Sequence, residues 1–334
     1  MTTPQSMRAL IVQEANGAFT DTQVERPAPR DGEMLVRIHA SGVNPLDTKI
    51  RAGAAAHARH PLPAVLGMDL AGVVERVGPG VTRFRVGDEV YGLVGGVGGL
   101  QGTLAEYAAV DADLLAHKPV NLSMREAAAL PLIVITAWEG LVDRAQVHAG
   151  QKVLVHGGAG GVGHVAVQIA AAFGAEVFAT GSAAQAEAIR GFGATPIDHA
   201  TTTVDQYVDR HTDGAGFDVV YDTVGGAVLD ASFKAARLYG GHVVSCLGWG
   251  THALAPLSFR AATYSGVFTL LPILTGEGRA HHGEILREAT KLVETGKLAP
   301  QIDPRRFTLD TVDDAYRSMT TRAATGKTII DIAE

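Results

Sequence analysis

Two hydrophobic patterns divide this chain of 334 residues. From residue 151 onward, short apolar runs rich in β-branched residues alternate with stretches at helical spacing. The runs at 152–156, 176–180, 219–222 and 242–246 predict strands; 165–173, 184–192 and 228–236 predict helices. Such alternation predicts a parallel sheet with crossover helices. Before residue 120 the pattern is different. Strand-like segments at 9–13, 34–40, 71–77 and 89–91 are separated by turn residues at 27–32 and 78–80 and by a glycine-rich stretch at 95–102, which predicts a mainly-β region. Ser123, followed three residues later by Glu126, has the spacing of a capping box and predicts a helix start. Pro131 should break that helix, with 133–141 continuing as a second apolar segment. Near the end, 283–295 carries Ile285, Leu286, Ala289, Leu292 and Val293 on one stripe, and Gly296 stands where a stop belongs. The stretch 328–332 predicts a last strand that returns to the N-terminal region.

One strand-to-helix junction carries chemistry. It runs Val153-Leu154-Val155-His156-Gly157-Gly158-Ala159-Gly160-Gly161-Val162-Gly163. An apolar strand ending in Gly158-x-Gly160-x-x-Gly163 and opening a helix is a dinucleotide-binding turn. Gly158 permits the tight turn, Gly160 lets a pyrophosphate approach the backbone, and Gly163 lets helix and strand pack closely; the N–H groups of Gly161, Val162 and Gly163 face the anion. The next strand ends Phe178-Ala179-Thr180-Gly181-Ser182, with no carboxylate to bind ribose hydroxyls. Thr180 and Ser182 can donate to a phosphate without repelling it, so NADP is expected over NAD. Gln185 stands where a lysine would help.

Composition narrows the class. The chain is 46% hydrophobic and 19% charged, with a net charge of −7 and no basic cluster, so no nucleic-acid or membrane partner is expected. A single cysteine, Cys246, excludes an internal disulfide framework and a multi-cysteine zinc site. No apolar run reaches the roughly 20 residues that span a bilayer, and the first residues lack a signal-peptide pattern. A soluble cytoplasmic protein acting on a small molecule is the expectation.

Several blocks together resemble the zinc-free medium-chain dehydrogenase/reductases, in the branch of zeta-crystallin-like quinone oxidoreductases and alkenal/one reductases. They are Ser41-Gly42-Val43-Asn44-Pro45-Leu46-Asp47-Thr48-Lys49, Gly67-Met68-Asp69-Leu70-Ala71-Gly72-Val73-Val74, Phe84-Arg85-Val86-Gly87-Asp88-Glu89-Val90-Tyr91, Thr136-Ala137-Trp138-Glu139-Gly140-Leu141, the glycine turn, and Asp218 to Gly225. The resemblance covers nearly the whole chain. It implies an α/β fold: a doubly wound Rossmann sheet over 129–272, and a GroES-like, mainly-β catalytic domain over 1–128 to which 273–334 returns. It also implies a cleft between them and a homodimer. Zinc relatives hold their metal with a Cys in the first block and a His in the second. Here Asn44 and Met68 stand there, and neither replaces thiolate or imidazole at a catalytic zinc. No metal is expected.

The resemblance also assigns residues. Asn44 matches a substrate-pocket Asn whose amide donates to a carbonyl, although Asn-Pro is equally a turn signal. Asp47 should structure its loop, and Lys49 either reaches the cleft or lies on the surface. Thr136 matches a nicotinamide-side Thr, and Phe268, Thr269 and Leu270 should run beside the nicotinamide. Tyr221 and Thr223 end a strand at the ligand side; a buried core tyrosine fits Tyr221 equally well. Cys246, Leu247 and Gly248 skirt the cofactor through backbone, and a nucleophilic role for Cys246 lacks an activating partner. His199 can stack on adenine. Arg322, with Ser182, matches a 2′-phosphate position, and Lys327 is a second candidate there. The activity so implied is NADPH-dependent hydride transfer to a quinone or conjugated enone or enal, without zinc. The rivals are a metal-free NADP-linked alcohol or carbonyl reductase and a non-catalytic NADPH-binding regulatory protein.

Overall fold

The structure, a computed structural model, describes residues 6–321 and 323–333. The chain divides into two compact units. One comprises Met1–Leu132, Leu270–Glu294 and Pro300–Glu334; the other comprises Ile133–Thr269 and Thr295–Ala299.

In chain order the first unit opens with strands β1 (Ser6–Val12), β2 (Phe19–Glu25) and β3 (Glu33–Gly42), then helix α1 (Pro45–Arg51). Strands β4 (Ala64–Val65), β5 (Asp69–Val77), β6 (Glu89–Leu93), β7 (Tyr107–Asp111) and β8 (Leu115–His117) follow, and then helix α2 (Met124–Ala128). The capping box forms: Ser123 and Glu126 bond each other's backbone N–H at the start of α2. Pro131 opens the next helix, α3 (Pro131–Trp138), rather than only breaking one. A first-turn proline lacks only an N–H that would be unpaired anyway.

The second unit is a parallel sheet. Its strands are β9 (Lys152–His156), β10 (Glu176–Gly181), β11 (Thr195–Asp198), β12 (Val219–Asp222), β13 (His242–Ser245) and β14 (Thr263–Gly266). Helices α4 (Gly161–Ala172), α5 (Ala186–Gly191), α6 (Val204–Thr212), α7 (Ala227–Ala235) and α8 (Ala255–Ser258) connect them. The order is β11-β10-β9-β12-β13-β14, all parallel. This is the doubly wound order, in which the chain leaves the central strand first to one side and then to the other. Strands covered on both faces read as unbroken apolar runs. Leu154, Phe178, Phe217, Val220 and Val243 accordingly belong to one buried cluster. After α3 the helix widens into a π-helical turn, Glu139–Arg144, which no periodicity announces. Its Gly140 makes room for Tyr221: a Cβ there would meet the ring at 2.8 Å.

The chain then returns through α9 (Leu271–Thr275), α10 (Arg279–Glu294), β15 (Phe307–Thr308), α11 (Val312–Thr320) and β16 (Ile329–Asp331). Helix α10 begins a turn before the predicted start, and Gly296 beyond it has φ +71°. Strand β16 pairs antiparallel with β3, Ile330 opposite Ser41, as the returning strand was expected to. The first unit thus holds a sheet ordered β15-β16-β3-β5-β6-β8, with β7 also on β3, and a smaller sheet β2-β1-β4.

Candidate functional site

The carboxyl ends of the parallel strands gather most of the predicted cofactor residues. Strand β9 ends at His156 and the chain turns at Gly157, φ +73°, a left-handed conformation that favours glycine. A Cβ on Gly158 would overlap Ala179 of β10, and one on Gly163 would overlap the Gly157 carbonyl oxygen. Close packing therefore dictates both glycines. Gly160 is the N-cap of α4, and no side chain caps that helix. The leading N–H groups of Gly161, Val162 and Gly163 are left for an anion, at the point where strand order reverses. This cradle fits a dinucleotide pyrophosphate.

Thr180 was expected at the ribose phosphate. It is buried, and its hydroxyl fastens the turn, accepting the Gly157 N–H at 3.1 Å and lying 3.2 Å from His156 Nδ1. Burial holds His156 well below its ordinary pKa, at about 4, so the ring is neutral at pH 7. Ser182 is half-buried beyond β10, its Oγ donating to Gln185 Oε1 at 3.3 Å. Gln185 caps this turn, accepting the Ser182 N–H at 2.9 Å; the position serves the fold rather than lacking a cation. His199 is exposed just past β11, its N–H on the Gly181 carbonyl. Arg322 lies outside the described residues.

Asp222 ties down the loop after β12. Its carboxylate accepts from the N–H groups of Val224 and Gly225 and from Ser245 Oγ at 2.7 Å. Thr223 donates to the His156 carbonyl at 2.6 Å. Tyr221 realises the core alternative: it is fully buried and its hydroxyl donates to the Thr136 carbonyl at 2.7 Å. Burial pushes the Cys246 thiol up to about 12, so it is no thiolate at neutral pH. Leu247 N–H rests on Ser245 Oγ, and Gly248 is exposed.

The structure brings Thr136 and Thr269 together, their hydroxyls 3.0 Å apart, with Glu139 Oε2 3.3 Å from Thr269 Oγ1. Phe268 meets the Trp249 ring edge-on at 6.1 Å, and Leu270 is buried. Glu139 was missed from sequence because a carboxylate on a regular helix reads as solvent-facing; here it opens the π-helical turn and is half-buried.

A second polar group lies buried in the first unit. Asn44, Asp47, Asp69 and Lys327 are all within 8% of full burial. Asn44 Nδ2 donates to Asp69 Oδ2 at 2.9 Å and to the Gly42 carbonyl at 3.3 Å; its Oδ1 accepts from Lys327 Nζ. Both amide protons are therefore spent, and the arrangement favours the turn reading of Asn44 over donation to a substrate. Lys327, expected at a phosphate, is instead the counter-charge of Asp69, 3.6 Å away. Asp69 Oδ1 also accepts the Leu132 N–H at 2.8 Å. Asp47 takes the local role expected of it, accepting the Asn44 N–H at 2.9 Å, and receives the Tyr316 hydroxyl at 3.1 Å. Burial raises Asp47 to about 7. Burial also raises Asp69 and lowers Lys327 against their mutual attraction. The sequence signal was present: Asp69 opens a strand whose next residues, Leu70 and Ala71, are apolar, where a carboxylate needs a buried partner. Lys49 is exposed on α1. Met68 is fully buried, and among the described residues no three His, Cys, Asp or Glu side chains converge to hold a metal ion.

Residues 30–120 match the model of the alcohol dehydrogenase GroES-like domain, and residues 192–330 that of a zinc-binding dehydrogenase family. The chain is 39% identical over 320 residues to a 2-methylene-furan-3-one reductase of Solanum lycopersicum, covering 93% of this chain and 74% of that protein. It is 35% identical over 338 residues to a chloroplastic NADPH-dependent alkenal/one oxidoreductase of Arabidopsis thaliana, covering 98% and 80%. Among solved structures, an alcohol dehydrogenase superfamily protein from Novosphingobium aromaticivorans is 61% identical with a TM-score of 0.96, covering 98% of this chain and all of that one. The quinone oxidoreductase from Coxiella burnetii is 28% identical with a TM-score of 0.82, covering 98% and 100%.

Proposed function

Because the chain belongs to the medium-chain dehydrogenase/reductases, in their zeta-crystallin-like branch, we propose that it is an NADPH-dependent reductase of conjugated enones, enals or quinones that works without a metal ion. The carrying observation is the uncapped start of α4 behind a turn that only glycine fits, at the reversal point of the parallel sheet. The names of the two reductase relatives support the acceptor class. Absence of a carboxylate over 178–182 supports NADPH, with Ser182 and Arg322 as phosphate ligands.

When bound, the reduced nicotinamide supplies the hydride. The N–H groups of Gly161, Val162 and Gly163 would hold its pyrophosphate, and Thr136 and Thr269 would wall the nicotinamide side. In a conjugated acceptor the charge left by hydride addition is delocalised onto oxygen. One or two hydrogen-bond donors then suffice, in place of a Lewis acid. Lys49 is the donor we assign. Asn44, with its amide spent on Asp69 and Lys327, positions the start of α1. The same reading gives the cofactor side to residues 129–272 and the substrate side to 1–128 and 273–334, and it includes a cytoplasmic homodimer.

The test is NADPH oxidation against a panel of enals, enones, quinones and simple ketones, with and without chelator. Turnover on conjugated acceptors alone, unaffected by chelator, is expected. Equal turnover on simple ketones would favour a carbonyl reductase. Tight NADPH binding without turnover would favour a regulatory protein.

A further inference from the structure

The turn between β9 and α4 is tied by side chains that glycine spacing does not announce. Gly157 opens it in left-handed backbone, and its N–H donates to a side chain, the Thr180 hydroxyl of β10, at 3.1 Å. The same oxygen lies 3.2 Å from His156 Nδ1 at the end of β9. The Thr180 carbonyl accepts the Gly158 N–H at 2.9 Å. From the other flank of β9, Thr223 beyond β12 donates to the His156 carbonyl at 2.6 Å. What fixes Gly157 also fixes the start of α4. The Gly157 carbonyl accepts the Gly160 N–H at 2.8 Å, and Gly163 packs on that same oxygen.

The hydrogens of this cluster can be counted. His156 and Thr180 are both buried. The Thr180 oxygen accepts from Gly157, so its own hydrogen needs an acceptor. Among the described residues its one other partner is His156 Nδ1. Burial keeps the ring neutral, so an accepting Nδ1 leaves the ring hydrogen on Nε2. The opposite tautomer would strand two buried groups, the Thr180 hydrogen and the Nε2 lone pair; this one strands the Nε2–H alone. The ring meets Tyr207 edge-on, centroids 6.4 Å apart, and the Tyr207 hydroxyl is itself buried without a partner among the described residues.

We propose that His156 is a positioning residue for the dinucleotide: as the Nε2–H tautomer it accepts from the Thr180 hydroxyl, which holds the Gly157 N–H and so sets the turn ahead of the N–H groups of Gly161, Val162 and Gly163. This rests on the reading that those groups receive a pyrophosphate. It gives His156 no contact with the cofactor and no proton to transfer. The ring acts only through Thr180.

The experiment is calorimetric titration of the full chain with NADP⁺ and with 2′-AMP, which has the adenosine and the 2′-phosphate but no pyrophosphate. Thr180→Val keeps the shape and removes the hydroxyl. It should weaken NADP⁺ by about tenfold, the loss of one buried hydrogen bond, and leave 2′-AMP unchanged. Thr180→Ser should restore NADP⁺ binding. His156→Leu should match the loss of Thr180→Val, and His156→Asn, which offers an oxygen in place of Nδ1, should recover most of it. Side chains that act through one chain of hydrogen bonds are not additive, so the double variant Thr180→Val, His156→Leu should lose no more than either single one. In nitrogen-15 spectra of the ring nitrogens at about pH 6, the signals lost in His156→Asn should be those of an Nε2–H tautomer. Equal losses for NADP⁺ and 2′-AMP, additive losses in the double variant, or an Nδ1–H tautomer would overturn the assignment. A wild type that binds no NADP⁺ would refute the pyrophosphate reading and this role with it, whereas a wild type that binds NADP⁺ as tightly as all four single variants would refute this role alone.

Discussion

At the scale of single residues, Asp47 is the most sensitive reporter of the first unit. Its carboxyl is buried against Asn44 and Tyr316, close to Lys327 and Asp69, and its folded pKa is raised to about 7. An unfolded aspartate titrates near pH 3.9. Between roughly pH 4 and 7 the folded chain therefore holds a proton that the unfolded chain has released. Stability is greatest below that window and falls as pH rises through it, by up to about 4 kcal/mol from this residue. Asp47→Asn keeps an oxygen for the Asn44 N–H and the Tyr316 hydroxyl but cannot titrate. Thermal melts across this range should show the wild-type Tm falling toward neutral pH and the variant curve flatter; parallel curves would dismiss Asp47 as the cause. Asn44 and Lys327 teach a related lesson. Their residue types were legible as polar and functional, but not that they bond each other, because 283 positions separate them along the chain.

At the scale of elements, the glycine turn was legible because its demands are local: a strand, a tight turn and a helix start within eleven residues. The glycines are nonetheless unequal. A Cβ on Gly163 would strike the Gly157 carbonyl, whereas one on Gly161 would meet only Ile133 Cγ2 at 3.8 Å. Gly163→Ala should collapse nucleotide binding and lower Tm by several degrees. Gly161→Ala, in a first helical turn with open space, should leave Tm within about a degree, its cost being under about 0.5 kcal/mol. Scanning fluorimetry with and without NADPH reads both, and similar behaviour of the two variants would refute the packing argument. The elements that periodicity missed are those whose exposure is set by neighbours. Strand β2 alternates weakly because none of its residues is fully buried, and the π-helical turn after α3 carries Gly140, whose missing Cβ leaves room for the Tyr221 ring.

At the scale of the molecule, the parallel sheet ends at β14. An open edge strand offers unpaired backbone groups. Tyr239 and Phe259, 86% and 85% exposed, lie on the segments that lead into β13 and β14, and the Tyr239 N–H donates to the carbonyl of Arg260, next to Phe259. The proposed homodimer is predicted to use this edge. Sedimentation should give a dimer for the wild type and a shift to monomer for the double variant Tyr239→Asp, Phe259→Asp, with unchanged circular dichroism. A dimer that survives the double change would move the interface elsewhere. No helix among the described residues is long and apolar enough to cross a membrane.

What the sequence determined by itself is whatever depends on near neighbours. Doubly buried strands are continuous apolar runs, a capping box sits within four residues, and a phosphate turn needs glycine at fixed intervals. The family followed from several such blocks in order. Tertiary structure alone decided which polar side chains are spent on the fold and which remain open. Thr180, Tyr221, Asn44 and Lys327 look available in sequence, yet each is spent on a partner within the fold. The reason is physical: whether a polar group must find a partner depends on its distance from water, and that distance is set by residues remote in the chain.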